Sequence, residues 1–173
     1  MNFRTAVYSD HERIKALYKK VAATSGGIAR EESEITDDYI QSFLKKSIEH
    51  GLIIVADHPE DESQVVGEIH GYSPAINIFQ HVLSNVTIVV DPDFQGKKIG
   101  KTIFTIFQEE IALNHHHIGR IELFTRESNT KALAFYQSIG FRIEGRFEMR
   151  IKNVDGSYEA DIPMAWQNPN FEF

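Results

Sequence analysis

The order of apolar repeats along the chain predicts one mixed α/β (α+β) domain whose mostly antiparallel central sheet is flanked by helices. Three observations carry that expectation. A helical period gives way to three consecutive strand-like runs and then returns twice. The last third contains a hairpin signal, Asp155-Gly156. A length of 173 residues, 42% of them apolar, fits a single core over 1–173, with the packed part spanning about 2–166 and a short tail from Trp166 onward.

Phe3–Val7 alternates weakly and reads as a short strand, after which Ser9 is placed to cap a helix carrying Ile14, Leu17, Tyr18 and Val21 at helical spacing. Thr24 through Glu34 mixes Gly26 and Gly27 with acids, has no period and reads as a loop. Thr36 offers a second N-cap ahead of a helix with Ile40, Phe43, Leu44 and Ile48 on one face, and Gly51 sits where a helix end commonly turns left-handed. Leu52–Ala56, Gln64–Tyr72 and Leu83–Val90, separated by His58-Pro59 and Ser73-Pro74, read as strands of an antiparallel meander. Ile99, Ile103, Ile106, Phe107 and Ile111 restore the helical repeat, Arg120–Thr125 reads as a strand, and Asn129 caps a helix that runs through Ile139 to Gly140. Phe141–Ile151 and Tyr158–Trp166 read as strands around the turn Asn153-Val154-Asp155-Gly156.

Composition removes whole classes of function. Lys and Arg number 18 against 25 Asp and Glu, a net charge of −7, the wrong sign for a protein that coats nucleic acid or an anionic membrane. Any polyanion must therefore meet a local basic patch. The absence of cysteine eliminates disulfide scaffolds, thiolate metal sites and cysteine nucleophiles. Met1-Asn2-Phe3-Arg4 leads straight into polar sequence, and the longest apolar run, Leu52–Ala56, is far too short to span a bilayer, so a soluble cytoplasmic protein is expected. His115-His116-His117 reads as a helix C-terminus, because consecutive helical residues diverge by about 100° and cannot converge on one ion. No metal is expected.

The most informative segment is Val89-Val90-Asp91-Pro92-Asp93-Phe94-Gln95-Gly96-Lys97-Lys98-Ile99-Gly100-Lys101, a strand that passes through a glycine-containing turn into a helix. The first amides of a helix lack internal partners and its dipole favours an anion there, so such a turn can grip a phosphate. Lys97, Lys98 and Lys101 supply the local positive charge that the overall composition lacks. Gly100-Lys101-Thr102 ends like a nucleoside-triphosphate loop, but the first glycine of that pattern would have to stand where Gln95 is, and G-x-G-x-x-G is absent.

Gln95-Gly96-Lys97-Lys98-Ile99-Gly100 resembles the Q/R-x-x-G-x-G/A loop of the GNAT superfamily of acyl-coenzyme A-dependent N-acetyltransferases, with Lys98 in place of the middle glycine. Asn129-Thr130-Lys131-Ala132-Leu133-Ala134-Phe135-Tyr136-Gln137-Ser138-Ile139-Gly140-Phe141 is similar to the family's later segment N-x-x-A-x-x-x-Y-x-x-x-G-F at every fixed position. The order of elements is also similar to that fold from end to end. Glu144-Gly145-Arg146, followed by Gly156, Asp161 and Met164, looks like the C-terminal hairpin of the branch acting on ribosomal-protein N-termini and polyamines. The resemblance implies acetyl-CoA as cosubstrate, its diphosphate at Gln95, Gly96, Lys97, Lys98, Ile99, Gly100 and Lys101, and pantetheine and thioester contacts at Ile88, Val89 and Val90. It also implies a cofactor-arm contact at Asn129, although helix capping alone explains an asparagine there.

Acetyl transfer to an amine needs a neutral amine, a held carbonyl and a proton for the departing thiolate. Tyr136 follows Asn129 by two helical turns on nearly the same face, and a phenol that keeps its proton at neutral pH can act as the general acid, the role the resemblance also gives it. The strand Leu83–Val90 offers Ser84, Asn85 and Thr87 but no carboxylate or imidazole, where some relatives carry a glutamate base. Glu68 and His70 alternate on the strand Gln64–Tyr72 and so face one side together with Tyr72, which makes them the candidates for the base, directly or through water. Glu122 is a further possibility. The expected function is N-acetyl transfer from acetyl-CoA to a primary amine, a small molecule or basic peptide drawn by acids such as Glu31, Glu32, Glu34, Asp37 and Asp38. The alternative is a coenzyme A-binding regulatory module without transfer chemistry. A homodimer is the default for a small soluble enzyme.

Overall fold

The computed structural model describes residues 1–24, 28–153 and 155–172. Ser25–Gly27 of the expected glycine loop and Val154 of the expected hairpin turn lie outside the described residues. Two compact units make up the chain, residues 1–72 with 87–111 and residues 73–86 with 112–173. The fold is α+β with a mixed, mostly antiparallel sheet, as expected from the sequence. No helix among the described residues is long and apolar enough to cross a membrane.

The first unit holds β1 (Phe3–Thr5), α1 (His11–Ala22), α2 (Asp37–His50), β2 (Gly51–Asp57), β3 (Val65–Tyr72), the end of β4 (Val82–Val90) and most of α3 (Ile99–Asn114). β1 pairs antiparallel with β2 and β2 with β3, and β4 follows as the neighbour of β3. Period-2 alternation sorts these strands into two faces. Ile53 stands opposite His70 and Val55 opposite Glu68, on the face that α1 and α2 cover with Ile14, Leu17, Tyr18, Phe43 and Leu44. Ala56 stands opposite Gly67 on the other face, where a side chain at Gly67 would meet Ile99 at 3.2 Å and Ile103 at 3.8 Å. Gly67 is thus what lets the first turns of α3 lie close against the sheet.

Two local expectations are corrected. The residue before α1 is Asp10, not Ser9, because a short 3-10 turn over Tyr8–Asp10 precedes the helix and draws the Asp10 carboxylate elsewhere. Gly51 is extended, with φ −170°, and opens β2 directly; a side chain there would come within 2.1 Å of the Gly71 carbonyl, so close strand approach, not a left-handed turn, requires the glycine. Thr36 caps α2 as expected, its hydroxyl accepting from the Tyr39 N–H at 3.2 Å.

The second unit contains the start of β4, β5 (Arg120–Arg126), α4 (Thr130–Ser138), β6 (Arg142–Ile143), β7 (Phe147–Lys152) and β8 (Tyr158–Gln167). β4 runs parallel to β5 at Val82↔Arg120 and Leu83↔Ile121, while β8 is antiparallel to β5, β6 and β7. The expected long strand Phe141–Ile151 is broken into β6 and β7. Pro163 on β8 has no N–H to give the ladder, and the Glu144 N–H instead reaches the Pro163 carbonyl at 3.0 Å, so regular pairing stops at 144–146. Beyond β8 the chain stays anchored: buried Asn168 donates from Nδ2 to the Ile118 carbonyl at 2.8 Å, and Asn170 donates to the Ala112 carbonyl at 2.9 Å.

An ion cluster ties β1, α1 and β2 together. Arg4 donates to both Asp10 oxygens at 2.8 Å, Arg13 donates to Asp10 Oδ1 at 2.8 Å, and the Val7 N–H reaches Oδ2 at 2.9 Å. Burial works against ionisation of Asp10, but the bonds from Arg4, Val7 and Arg13 outweigh it and bring the carboxyl down to about 2. A depressed carboxylate stabilises the fold above its unfolded pKa and stops doing so as pH falls through its folded one. We expect stability measured by urea unfolding to drop between pH 4 and 2 in the wild type. Asp10→Asn should lose about 2–3 kcal/mol at pH 7 and flatten that acid-side slope. An unaltered slope in the variant would assign it to other carboxylates.

Candidate functional site

β4 ends in the short 3-10 turn Pro92–Phe94, and the chain then enters α3 through Gln95–Lys98. Asp91 organises the turn. Its buried carboxylate accepts from the Asp93 N–H at 2.9 Å and from Lys20 Nζ on α1 at 2.8 Å, while its own N–H pairs with the Val66 carbonyl on β3. Lys20 also holds Asp93 at 2.6 Å, and that hydrogen bond keeps the Asp93 carboxyl below its ordinary range. One lysine thereby bridges two carboxylates, and neutralises the charge of one, beside a segment expected to attract an anion.

The next residues are exposed, and positive φ recurs at every second position: +75° at Gly96 and +64° at Lys98. Successive N–H groups on such an alternating backbone point into a common concavity, a shape that receives anions. Among the described residues, Gly96 and its two chain neighbours aside, no atom lies within 4 Å of where a Gly96 side chain would begin, so the bend is open rather than filled. Lys98 ends the bend: its carbonyl accepts from the Thr102 N–H at 2.9 Å, which leaves the amides of Ile99, Gly100 and Lys101 in the helical first turn without an i−4 partner. Gly100 faces Val90 and Ile88, whose methyls would stand 3.5 and 3.9 Å from an added Cβ. Lys97 Nζ sits 4.3 Å over the Phe94 ring. Of the three strand residues expected here, Val89 turns its side chain into the core, so its backbone is what remains to offer. The residues present fit a diphosphate-bearing group: unpaired amides, three lysines and an open backbone.

Glu68 and His70 share one face as their spacing predicted, and both are buried, at 0% and 3% exposure. Glu68 Oε1 lies 3.0 Å from His70 Nδ1, and Glu68 Oε2 accepts from the Tyr18 hydroxyl at 2.5 Å. The His70 ring stacks on Phe43, centroids 4.1 Å apart and planes 6° from parallel. Sequence reasoning placed Tyr18 on the apolar stripe of α1 and missed its hydroxyl. The available signal was a phenol at a core position, a group that needs a partner when buried. Glu122 points outward on β5 and pairs with Arg120 at 2.8 Å.

In the second unit, Asn129 Oδ1 accepts from the Ala132 N–H at 3.1 Å, capping α4 as expected. Tyr136 is half-buried between Phe135 and Phe141, at 5.4 and 5.8 Å, and burial pushes its phenol up to about 12. His115–His117 follow the end of α3 at Asn114. Among the described residues, His11, Glu12 and Asp37 form one group with ligand atoms close enough for a metal, though Asp37 is already paired with Lys15 at 2.6 Å.

Comparison with known proteins gives a consistent result. Residues 49–143 match the model of the acetyltransferase (GNAT) domain family. Over 96 residues, 54% of this chain, the sequence is 31% identical to the [ribosomal protein bS18]-alanine N-acetyltransferase of Escherichia coli, and the match spans 64% of that protein's length. A ribosomal-protein-alanine N-acetyltransferase from Brucella melitensis superposes with a TM-score of 0.79 at 19% identity, covering 96% of this chain and 99% of that one. A putative acetyltransferase from Salmonella typhimurium, solved with its cofactor acetyl-CoA, gives 0.82 at 16% identity, covering 100% and 96%.

A lysine with positive φ is strained where a glycine is not. Replacing Lys98 by Gly should raise stability by about 1 kcal/mol in urea unfolding, whereas Lys98→Ala, which removes the charge but keeps the Cβ, should not. Equal effects of the two substitutions would mean that charge, not backbone, governs this position.

Proposed function

The chain belongs to the GNAT acetyltransferase family, and we propose that it is an N-acetyltransferase that moves an acetyl group from acetyl-CoA to a primary amine. The observation that carries this reading is the open bend Gln95–Lys101, where alternating positive φ, unpaired first-turn amides and three lysines coincide. Gln95, Gly96, Lys97, Lys98, Ile99, Gly100 and Lys101 would hold the diphosphate, Ile88–Val90 the pantetheine and thioester, and Asn129 the cofactor arm in addition to its capping bond. Acetyl-CoA supplies the acetyl group as an activated thioester.

The chain's own groups then manage charge and protons. A backbone N–H near the end of β4 donates to the carbonyl oxygen as negative charge develops on it, a preorganised contact that needs no rearrangement. Tyr136 gives its hydroxyl proton to the sulfur that leaves. Because burial holds that phenol near 12, it carries its proton throughout the neutral range and is a donor there, not a base. The amine proton passes to the Glu68–His70 pair. At 0% and 3% exposure these two act at one remove, through water, rather than by touching the amine. The substrate is proposed to be a small-molecule amine or the N-terminus of a basic peptide, by likeness to the alanine N-acetyltransferase above. A second reading, a coenzyme A-binding module without transfer, is favoured by the lack of any carboxylate or imidazole from Leu83 to Val90.

Thiol release measured against polyamines, amino acids and basic peptides separates the two readings. Turnover with any of these supports the enzyme, and tight binding of acetyl-CoA with no release from any supports the module. In the enzyme, Tyr136→Phe should cut kcat by about 10²-fold or more while changing coenzyme A affinity by less than about threefold. Unchanged turnover would remove Tyr136 from the acid role.

A further inference from the structure

We propose that Tyr18 is a positioning residue for the proton-accepting pair: by donating to Glu68 it keeps that carboxylate ionised and fixes His70 as the Nδ1–H tautomer, with Nε2 as the atom that takes a proton. The idea rests on the reading of Glu68 and His70 given above and extends it to a residue on another element.

The argument is a count of donors and acceptors in a closed space. Tyr18 is 0% exposed, Glu68 0% and His70 3%, so the Tyr18 hydroxyl and the Glu68 carboxyl must find their partners inside the protein. Glu68 Oε2 receives the Tyr18 hydroxyl at 2.5 Å, within the range for an O–H donating to an ionised carboxylate. Burial first, and the charge of Glu68 second, raise the Tyr18 phenol well above its ordinary value, so the proton of that short bond stays on the tyrosine. Oε1 faces His70 Nδ1 at 3.0 Å. An ionised carboxylate can only accept, so Nδ1 must donate, and the one remaining lone pair of a neutral ring is on Nε2. The Tyr18 oxygen also lies 3.3 Å from Nδ1, which closes the three groups into a triangle.

The surroundings leave this triangle little alternative. From α2, Phe43 stacks on the imidazole and Tyr39 packs edge-on to Tyr18, with ring centroids 6.1 Å apart. From β2, Ile53 and Val55 stand opposite His70 and Glu68. Among the described residues, the charged and titratable groups near it are Tyr39, Arg30, which lies 4.0 Å over the Tyr39 ring, Lys46, which lies 5.4 Å over the Tyr72 ring, and Tyr72 itself, stacked 6.3 Å from His70. A phenylalanine would fill the volume of Tyr18 and keep its ring contacts. What the hydroxyl adds is a donor that spreads the negative charge of Glu68 and so moderates how strongly the pair holds a proton.

The test is Tyr18→Phe in the full chain, read by the pH dependence of kcat/KM and by ¹⁵N NMR titration of His70. Without the donor, the carboxylate draws a proton onto the pair more strongly. The acid limb and the His70 titration should both move upward by about one pH unit, a tenfold change in proton affinity. If both stay in place, the proposal is overturned. If the His70 titration moves and the acid limb does not, Tyr18 has the proposed role and the base reading of Glu68 and His70 fails. Should Tyr18→Phe not fold, the wild-type ¹⁵N spectrum decides: a protonated Nδ1 with bare Nε2 at pH 8 supports the assignment, and the opposite tautomer contradicts it.

Discussion

The amides of the first turn of α3 have no carbonyl to meet inside their own helix, and the bend before it places this unmet demand at an exposed surface. Three features of the first unit keep it so. Gly67 allows Ile99 and Ile103 to seat the start of α3 on the sheet. Asp91, paired with Val66 through its N–H and with Lys20 through its carboxylate, fastens the turn to β3 and α1. Lys98 accepts a backbone conformation that costs it about 1–2 kcal/mol, which is the kind of local strain found where a backbone must present groups to a ligand. The sign of the field follows from the same arrangement, since Lys20 neutralises one of the two carboxylate charges and Lys97, Lys98 and Lys101 outweigh the other.

Burial encloses Tyr136 and Glu68 in different company. At Tyr136 it removes water from the phenol and makes the neutral, proton-carrying form the stable one up to about pH 12. At Glu68 the enclosed carboxyl group instead meets two partners, the Tyr18 hydroxyl at 2.5 Å and His70 Nδ1 at 3.0 Å. The Arg4–Asp10–Arg13 cluster follows the same rule with a structural outcome, ionised because its partners outnumber the cost of enclosing it.

Local rules were legible wherever one residue decides a local event. Thr36 and Asn129 cap the helices that follow them, and the alternation of β3 puts Glu68 and His70 on one face. Strand and helix order followed from the change of period. What periodicity does not contain is the identity of the covering layer. It gave the face of Glu68 but not the α1 and α2 side chains above it, so two groups that read as strand polars are enclosed and Tyr18 passes for another apolar residue. The left-handed turn at Gly51 and the cap at Ser9 were misread: close approach to Gly71 is set by tertiary packing, and the Tyr8–Asp10 turn, whose Asp10 is held by Arg4 and Arg13, moves the residue before α1. Pro163 interrupts a ladder that the apolar pattern of Phe141–Ile151 shows as continuous. For the candidate site, the lysine-rich bend between β4 and α3 was visible from residue types alone, while the positive φ of Lys98 was not, because lysine gives no local signal for it.

The central claim is that the backbone of this bend seats a diphosphate. A ¹H–¹⁵N titration of the wild-type protein with coenzyme A, compared with one using pantetheine alone, reads those amides one by one. The account predicts large, saturable shifts at Gly96, Lys98, Ile99, Gly100 and Lys101 with coenzyme A that pantetheine does not produce. Saturable binding of coenzyme A that leaves those five amides unmoved would contradict it.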